Sequence, residues 1–158
     1  MKGNEMNVCI KEVELDEKIL ETLIRMSETR AAEQSCHGYR KNGREDIEGN
    51  RIFLACDGET VLGYLFGHAE RAERDTSIMP KDTPYFEVEE LFTEPAYRGQ
   101  GIGLRLFEFA ERAVSDEVEF VMLTTATKNW NAILHFYLDE LGMEFWSARL
   151  FRRCAKHE

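Results

Sequence analysis

Four carboxylates, Glu87, Glu89, Glu90 and Glu94, fall within eight residues, and three glycines then stand at every second position, 99, 101 and 103. Carboxylates in such a run can take a proton from an amine, or draw a cation to the surface without any one of them acting as the base. Ile102, Leu106, Phe109, Ala110 and Ala113 follow at helical spacing, so the glycines open a helix. Free N–H groups and the positive end of the dipole converge at such a start. The result is an anion cradle suited to a pyrophosphate, which glycine lets the backbone approach closely.

The carboxylates need an element that holds them apart. In YFEVEELFTEP (85–95), Phe86 and Val88 share one face and Glu87 and Glu89 the other, but the same register would set Glu90 among the apolar residues. An extra residue near Glu89 to Leu91, a β-bulge, restores sensible environments to Leu91 and Phe92. It also leaves backbone N–H groups unpaired for a ligand. Glu90, as the residue at the bulge, is a candidate base.

The remaining elements follow from periodicity. A short strand is expected near Val8 to Val13, then an amphipathic helix from Asp16, its N-cap, to Thr29, with Ile19, Leu20, Leu23, Ile24 and Met26 at helical spacing. Residues 34–50 are polar and glycine-bearing, so a surface loop or a broken second helix is expected. Ile52–Cys56 and Thr60–Ala69 flank Asp57-Gly58-Glu59 and read as a hairpin. A polar connection leads to the acidic strand. Glu119–Thr125 carries a continuous apolar run expected of a central strand covered on both faces. Asn129–Glu140 is helical in pattern and stops at Gly142, and the tail 142–153 alternates as a last strand. This order predicts an α/β (α+β) fold, a single domain over 1–158.

The 158 residues carry 30 acidic and 20 basic side chains, a net charge of -10, which repels a polyphosphate backbone and favours a cationic partner. Nucleic-acid binding is therefore not expected. Cys9, Cys36, Cys56 and Cys154 are scattered without a C-x-x-C pair, so reduced thiols are expected, with no metal site and no disulfide framework. His68 and His135 read as surface or packing residues. No apolar signal core or membrane span is evident, and a cytoplasmic protein without membrane partners is expected.

A Walker A loop would need G-K-[ST], but Gly103 is followed by Leu104 and Arg105; a dinucleotide fingerprint would need G-x-G-x-x-G rather than G-x-G-x-G. Leu91-x-Thr93-x-Pro95-x-Tyr97-Arg98-Gly99-Gln100-Gly101-Ile102-Gly103 instead resembles the R-x-x-G-x-G signature of the GCN5-related N-acetyltransferase (GNAT) family. Asn129-x-x-Ala132, Phe136-Tyr137 and Leu141-Gly142-Met143-Glu144-Phe145 resemble that family's N-x-x-A-x-x-[FL]-Y-x-x-x-G-F segment. Tyr137 stands one residue beyond the usual tyrosine position, which Phe136 takes.

The resemblance implies a mixed sheet of six to seven strands flanked by helices, splayed at an acetyl-CoA site. Residues 98–103 (Arg98, Gly99, Gln100, Gly101, Ile102 and Gly103) would hold the pyrophosphate. Main chain at Leu91, Phe92 and Thr93 would bond the pantetheine arm, with Asn129 and Ala132 also on the cosubstrate side. Glu87, eleven positions before the motif arginine, is implied as the base and Tyr137 as the acid. The implied activity is N-acetyl transfer to a primary amine of a small molecule, including a polycation such as an aminoglycoside or polyamine. A peptide or protein amine, or a non-catalytic acyl-CoA-binding module, stays open. A homodimer is expected from the apolar last strand.

Overall fold

Alternating apolar residues become an antiparallel meander in the computed structural model, which describes residues 6–154. Strands β1 (Val8–Val13), β2 (Arg51–Asp57), β3 (Thr60–Arg71) and β4 (Pro84–Thr93) pair in chain order, each antiparallel to the last. Strand β5 (Phe120–Met122) joins the outer side of β4 in parallel. Helices α1 (Glu17–Glu33), α2 (Arg44–Ile47), α3 (Ile102–Val114) and α4 (Trp130–Leu134) complete the chain, and α4 continues into a π-helical segment, His135–Glu140.

Local chemistry explains these boundaries. Asp16 caps α1, its Oδ1 accepting from the Ile19 amide at 2.7 Å, which satisfies one of the orphan donors of the first turn. The predicted hairpin forms, and Asp57 joins its first strand by pairing with Thr60, which leaves a two-residue turn where Gly58 takes a φ of 57° that a β-carbon would disfavour.

Two cores lie on opposite faces of the sheet. Phe53, Ala55, Leu65, Phe86 and Val88 pack with Ile102, Leu106, Phe107 and Ala110 of α3. Ile52, Leu54, Tyr64, Phe66 and Phe92 pack with Leu20, Leu23 and Met26 of α1. Each fully buried large side chain contributes ~2 kcal/mol of apolar transfer, so both helices are held by their inward stripes.

The bulge decides which face each β4 residue takes. Phe66 pairs with Glu90 and Gly67 with Val88, so Glu89 is the extra residue. Before it, Phe86 and Val88 face α3; after it, Leu91 does, while Glu90 (7% exposed) and Phe92 turn toward α1. Gly67 makes this possible, because a β-carbon there would collide with the Glu87 carbonyl oxygen.

The sheet departs from expectation at its far side. Five strands form among the described residues, not six to seven, and residues 143–154 belong to no strand. Glu119–Thr125 supplies only the three paired residues of β5, which form the edge of the sheet and not a central strand. A strand exists through a partner's ladder, and no segment among the described residues pairs along the outer side of β5. The alternating tail is held by the Trp146 indole, which donates to Ser77 Oγ at 2.7 Å, while Leu150 is 94% and Phe151 83% exposed.

Candidate active site

Parallel pairing of β4 with β5 begins at Tyr85 and Phe120 and stops at Glu87 and Met122. Beyond that pair the two strands part. A cavity of about 270 Å³ fills the fork, lined by Val88–Leu91 on one side, Leu123–Ala126 on the other, and by Arg30, Tyr39 and Tyr137. Cys36–Gly38 form its outer wall, where the His37 amide donates to the Ala126 carbonyl at 2.9 Å and the Lys128 amide to the Ser35 carbonyl at 2.8 Å.

Past the fork, β4 runs through a 3-10 turn, Pro95–Tyr97, into the glycine turn. Gly99 and Gly101 both have φ of 75°, with open space where a β-carbon would stand. Gly101 precedes α3, and no side chain caps the helix. Apart from Gln100, which closes a hydrogen-bonded turn, the amides of residues 99–104 donate to no acceptor among the described residues. Unpaired N–H groups at a helix start favour an anion. Gly103 differs from the other two: it lies inside the first helical turn, and a β-carbon there would touch the Phe136 ring at 3.4 Å.

Arg98 is not free to face those amides. Its Nε donates to the Thr93 carbonyl at 3.0 Å, and its two Nη groups grip Glu33 of α1 at 3.1 and 2.7 Å. It ties the turn to β4 and α1. Leu91 lines the cavity, Thr93 Oγ1 lies near Gly103, and the Phe92 side chain points into the α1 core. Gln100 is exposed on the turn and Ile102 buried beneath it. Asn129 and Ala132 are exposed at the start of α4 and line neither this cavity nor its neighbour.

The candidate acid and bases sit in different environments. Tyr137 reaches the cavity from the π segment, where the Leu141 amide donates to the Phe136 carbonyl at 3.0 Å. A π turn takes up one extra residue, and this one accommodates the displacement of tyrosine from the family's position. Burial pushes its phenol up to about 12, against the opposing pull of Arg30, so the hydroxyl keeps its proton at neutral pH.

Glu87 closes the fork, opposite His68 on β3 and Met122 on β5. Burial first, then Glu89, raises its carboxyl to about 7, with His68 opposing. Its side chain has no hydrogen-bond or ion-pair partner among the described residues, and it lies just outside the linings of both cavities.

Glu90 is the opposite case. Tyr39 Oη donates to it at 2.7 Å, Asn42 Nδ2 at 3.0 Å, and Tyr64 Oη by a third bond, while Arg30 Nη1 lies 3.3 Å away. Burial and this carboxylate raise both tyrosine phenols. Two hydroxyls fill Oε1 and one amide binds Oε2, so three of the four acceptor sites of this carboxylate are taken, which leaves it poorly placed to serve as a substrate's base. Arg30, Asn42 and Tyr64 were not apparent as site residues from their spacing, although Arg30 continues the buried α1 stripe of Leu23, Met26 and Ser27, where a charge signals a buried partner.

A second cavity of about 430 Å³ adjoins the first through Glu89 and Glu90, and Asn42, Glu45, Asp46, Glu48, Asn50 and His68 contribute to its lining. Arg40 pairs with Asp46 and Arg44 with Glu48. Glu45 and Glu89 are not paired with arginine or lysine among the described residues, so the space favours a cation. No cluster of histidine, cysteine and carboxylates able to hold a metal occurs among the described residues.

Comparison with known proteins returns one family model, acetyltransferase (GNAT) family, which matches residues 18–143. No curated protein matches the chain. Among solved structures, an aminoglycoside acetyltransferase from an uncultured soil metagenomic sample, in complex with sisomicin, is similar at 18% identity and TM-score 0.64, over 94% of this chain and 97% of that one. A predicted acetyltransferase with acetyl-CoA from Clostridium acetobutylicum is similar at 12% identity and TM-score 0.64, over 92% and 96%. A transcriptional regulator from Bacillus halodurans is similar at 25% identity and TM-score 0.66, over 94% and 100%.

Proposed function

The chain belongs to the acetyltransferase (GNAT) family, and from that premise we propose that it moves the acetyl group of acetyl-CoA to a primary amine of a small polycation. The observation that carries this reading is the fork between β4 and β5, which opens a cavity beside the uncapped start of α3. Amides 99–104 would hold the pyrophosphate and main chain at Leu91–Thr93 the pantetheine arm. The acidic second cavity would receive the amine, in keeping with the sisomicin complex of one structural neighbour.

The chemistry then divides between two side chains. Glu87, just outside both linings, accepts a proton from the ammonium through water, and its raised carboxyl suits that task near neutrality. The amine nitrogen bonds to the thioester carbon, and collapse breaks the carbon–sulfur bond. An N–H beside the bulge would steady the oxyanion, worth ~3 kcal/mol. Tyr137 gives its proton to the departing thiolate, and the nitrogen gives its surplus proton to the tyrosinate so formed, directly or through water, as the amide forms. The reading places the protein in the cytoplasm, where acetyl-CoA is available, and carries a homodimer joined through the exposed apolar tail, which sedimentation would test.

Free thiol released from acetyl-CoA over a panel of polyamines, aminoglycosides and monoamines tests the function. Turnover with polycations is expected, and Tyr137→Phe should lower kcat by ~10²-fold while CoA still raises the melting temperature. Tight CoA binding with no turnover on any amine would overturn the reading.

A further inference from the structure

We propose that Glu90 is a positioning residue, which fastens the segment 39–42 to the bulge and so forms the partition between the two cavities. This inference rests on the acetyl-transfer reading only for its effect on the amine. Glu90 borders both cavities; of its donors, Tyr39 lines the first and Asn42 the second. Its partners come from four places in the chain: α1 (Arg30), the loop after it (Tyr39), the approach to α2 (Asn42), and β3 (Tyr64).

Besides Glu90, the loop is held inward through the Asn42 amide, which donates to Ser27 Oγ at 2.9 Å, and the Gly43 amide, which donates to Asp46 at 2.8 Å. Arg40 and Lys41 pair at the surface with Asp46 and Glu28, and exposed pairs hold weakly. Tyr39 instead lies under the Arg30 guanidinium, 4.5 Å from ring centroid to carbon, with its hydroxyl on Glu90. A carboxylate with only donors around it cannot be replaced by an amide without setting N–H against N–H. Glu90→Gln should therefore loosen residues 39–43 even though its shape is nearly the same. Tyr39→Phe removes one donor and leaves the rest of the cluster in place.

The test joins amide hydrogen exchange of the free protein with steady-state kinetics. In both variants the amides of Asn42 and Gly43, which donate to Ser27 and Asp46, should exchange faster, and KM for the amine should rise about tenfold, the size of one lost bond to a charged acceptor. Protection of residues 99–104 by CoA should persist, and the limb of kcat/KM near pH 7 should remain in Glu90→Gln. Unchanged exchange at Asn42 and Gly43 in both variants would overturn the proposal, as would loss of that limb in Glu90→Gln, which would make Glu90 the base. Should the wild-type protein turn over no amine, the acetyl-transfer reading fails, and the exchange data alone still decide whether Glu90 fastens the loop.

Discussion

Replacing Glu87 by glutamine should change both stability and rate, each with its own pH dependence. The folded protein holds this carboxyl at about 7, against 4.5 for the unfolded group, because burial and Glu89 disfavour its charge. Below about pH 4.5 the carboxyl is protonated in both states and adds nothing to the difference. Between 4.5 and 7 the unfolded chain releases the proton while the folded one keeps it, so stability falls as pH rises. Above 7 the full penalty is present. Unscreened, the rise corresponds to ~3 kcal/mol, and for a partly exposed group solvent screening reduces this to ~1 kcal/mol. Glu87→Gln should therefore melt with the wild type at about pH 4.5 and about 2–4 °C above it at about pH 8.5. In kinetics the wild-type kcat/KM should climb through about 7 as the base ionises, and the variant should lose both the climb and most of its rate. Melting by scanning fluorimetry and thiol release across pH read the two effects. A melting gap independent of pH, or a limb near 7 that survives in Glu87→Gln, would refute the assignment.

Gly67→Ala should destabilise the fold by ~1–3 kcal/mol, since its new methyl would collide with the Glu87 carbonyl and distort the bulge; urea denaturation measures this, and a loss under half a kilocalorie would mean the bulge can shift freely. The glycine turn should separate fold from ligand. Gly101→Ala forces an alanine to a φ of 75° and should lower stability by ~1 kcal/mol even without ligand. Gly103→Ala meets only ordinary contact with Phe136 and should leave the ligand-free melting temperature within about 1 °C, while weakening CoA in calorimetry if the phosphates come as close as proposed.

Legibility in the sequence followed how local each cause was. The bulge could be read because Glu90 breaks an alternation within five residues, and the glycine turn because helix, proline and glycines adjoin. The environment of Glu90 could not, since Tyr39 and Asn42 lie 51 and 48 residues away in sequence. Nothing in their spacing marks them as partners. The tail failed for a related reason: Trp146, Ala148 and Leu150 alternate as a strand would, but alternation says which face is apolar and not whether a ladder stands beside it. Tyr137 lay between these cases. Its displacement by one residue was visible in the sequence, and the π segment that accommodates it appears only in three dimensions.

The gap that opens past Glu87 and Met122 also bears on how long the protein would survive in a cell. Two flanks of main chain there lack the neighbours a closed sheet would give them, and an extended guest would supply what is missing. Occupancy at a hundredfold excess over Kd adds ~2.7 kcal/mol against unfolding, and proteases that act on opened chains would be slowed by about the same factor of a hundred. Abundance of such a protein would rise and fall with the supply of the guest it binds, without any change in synthesis.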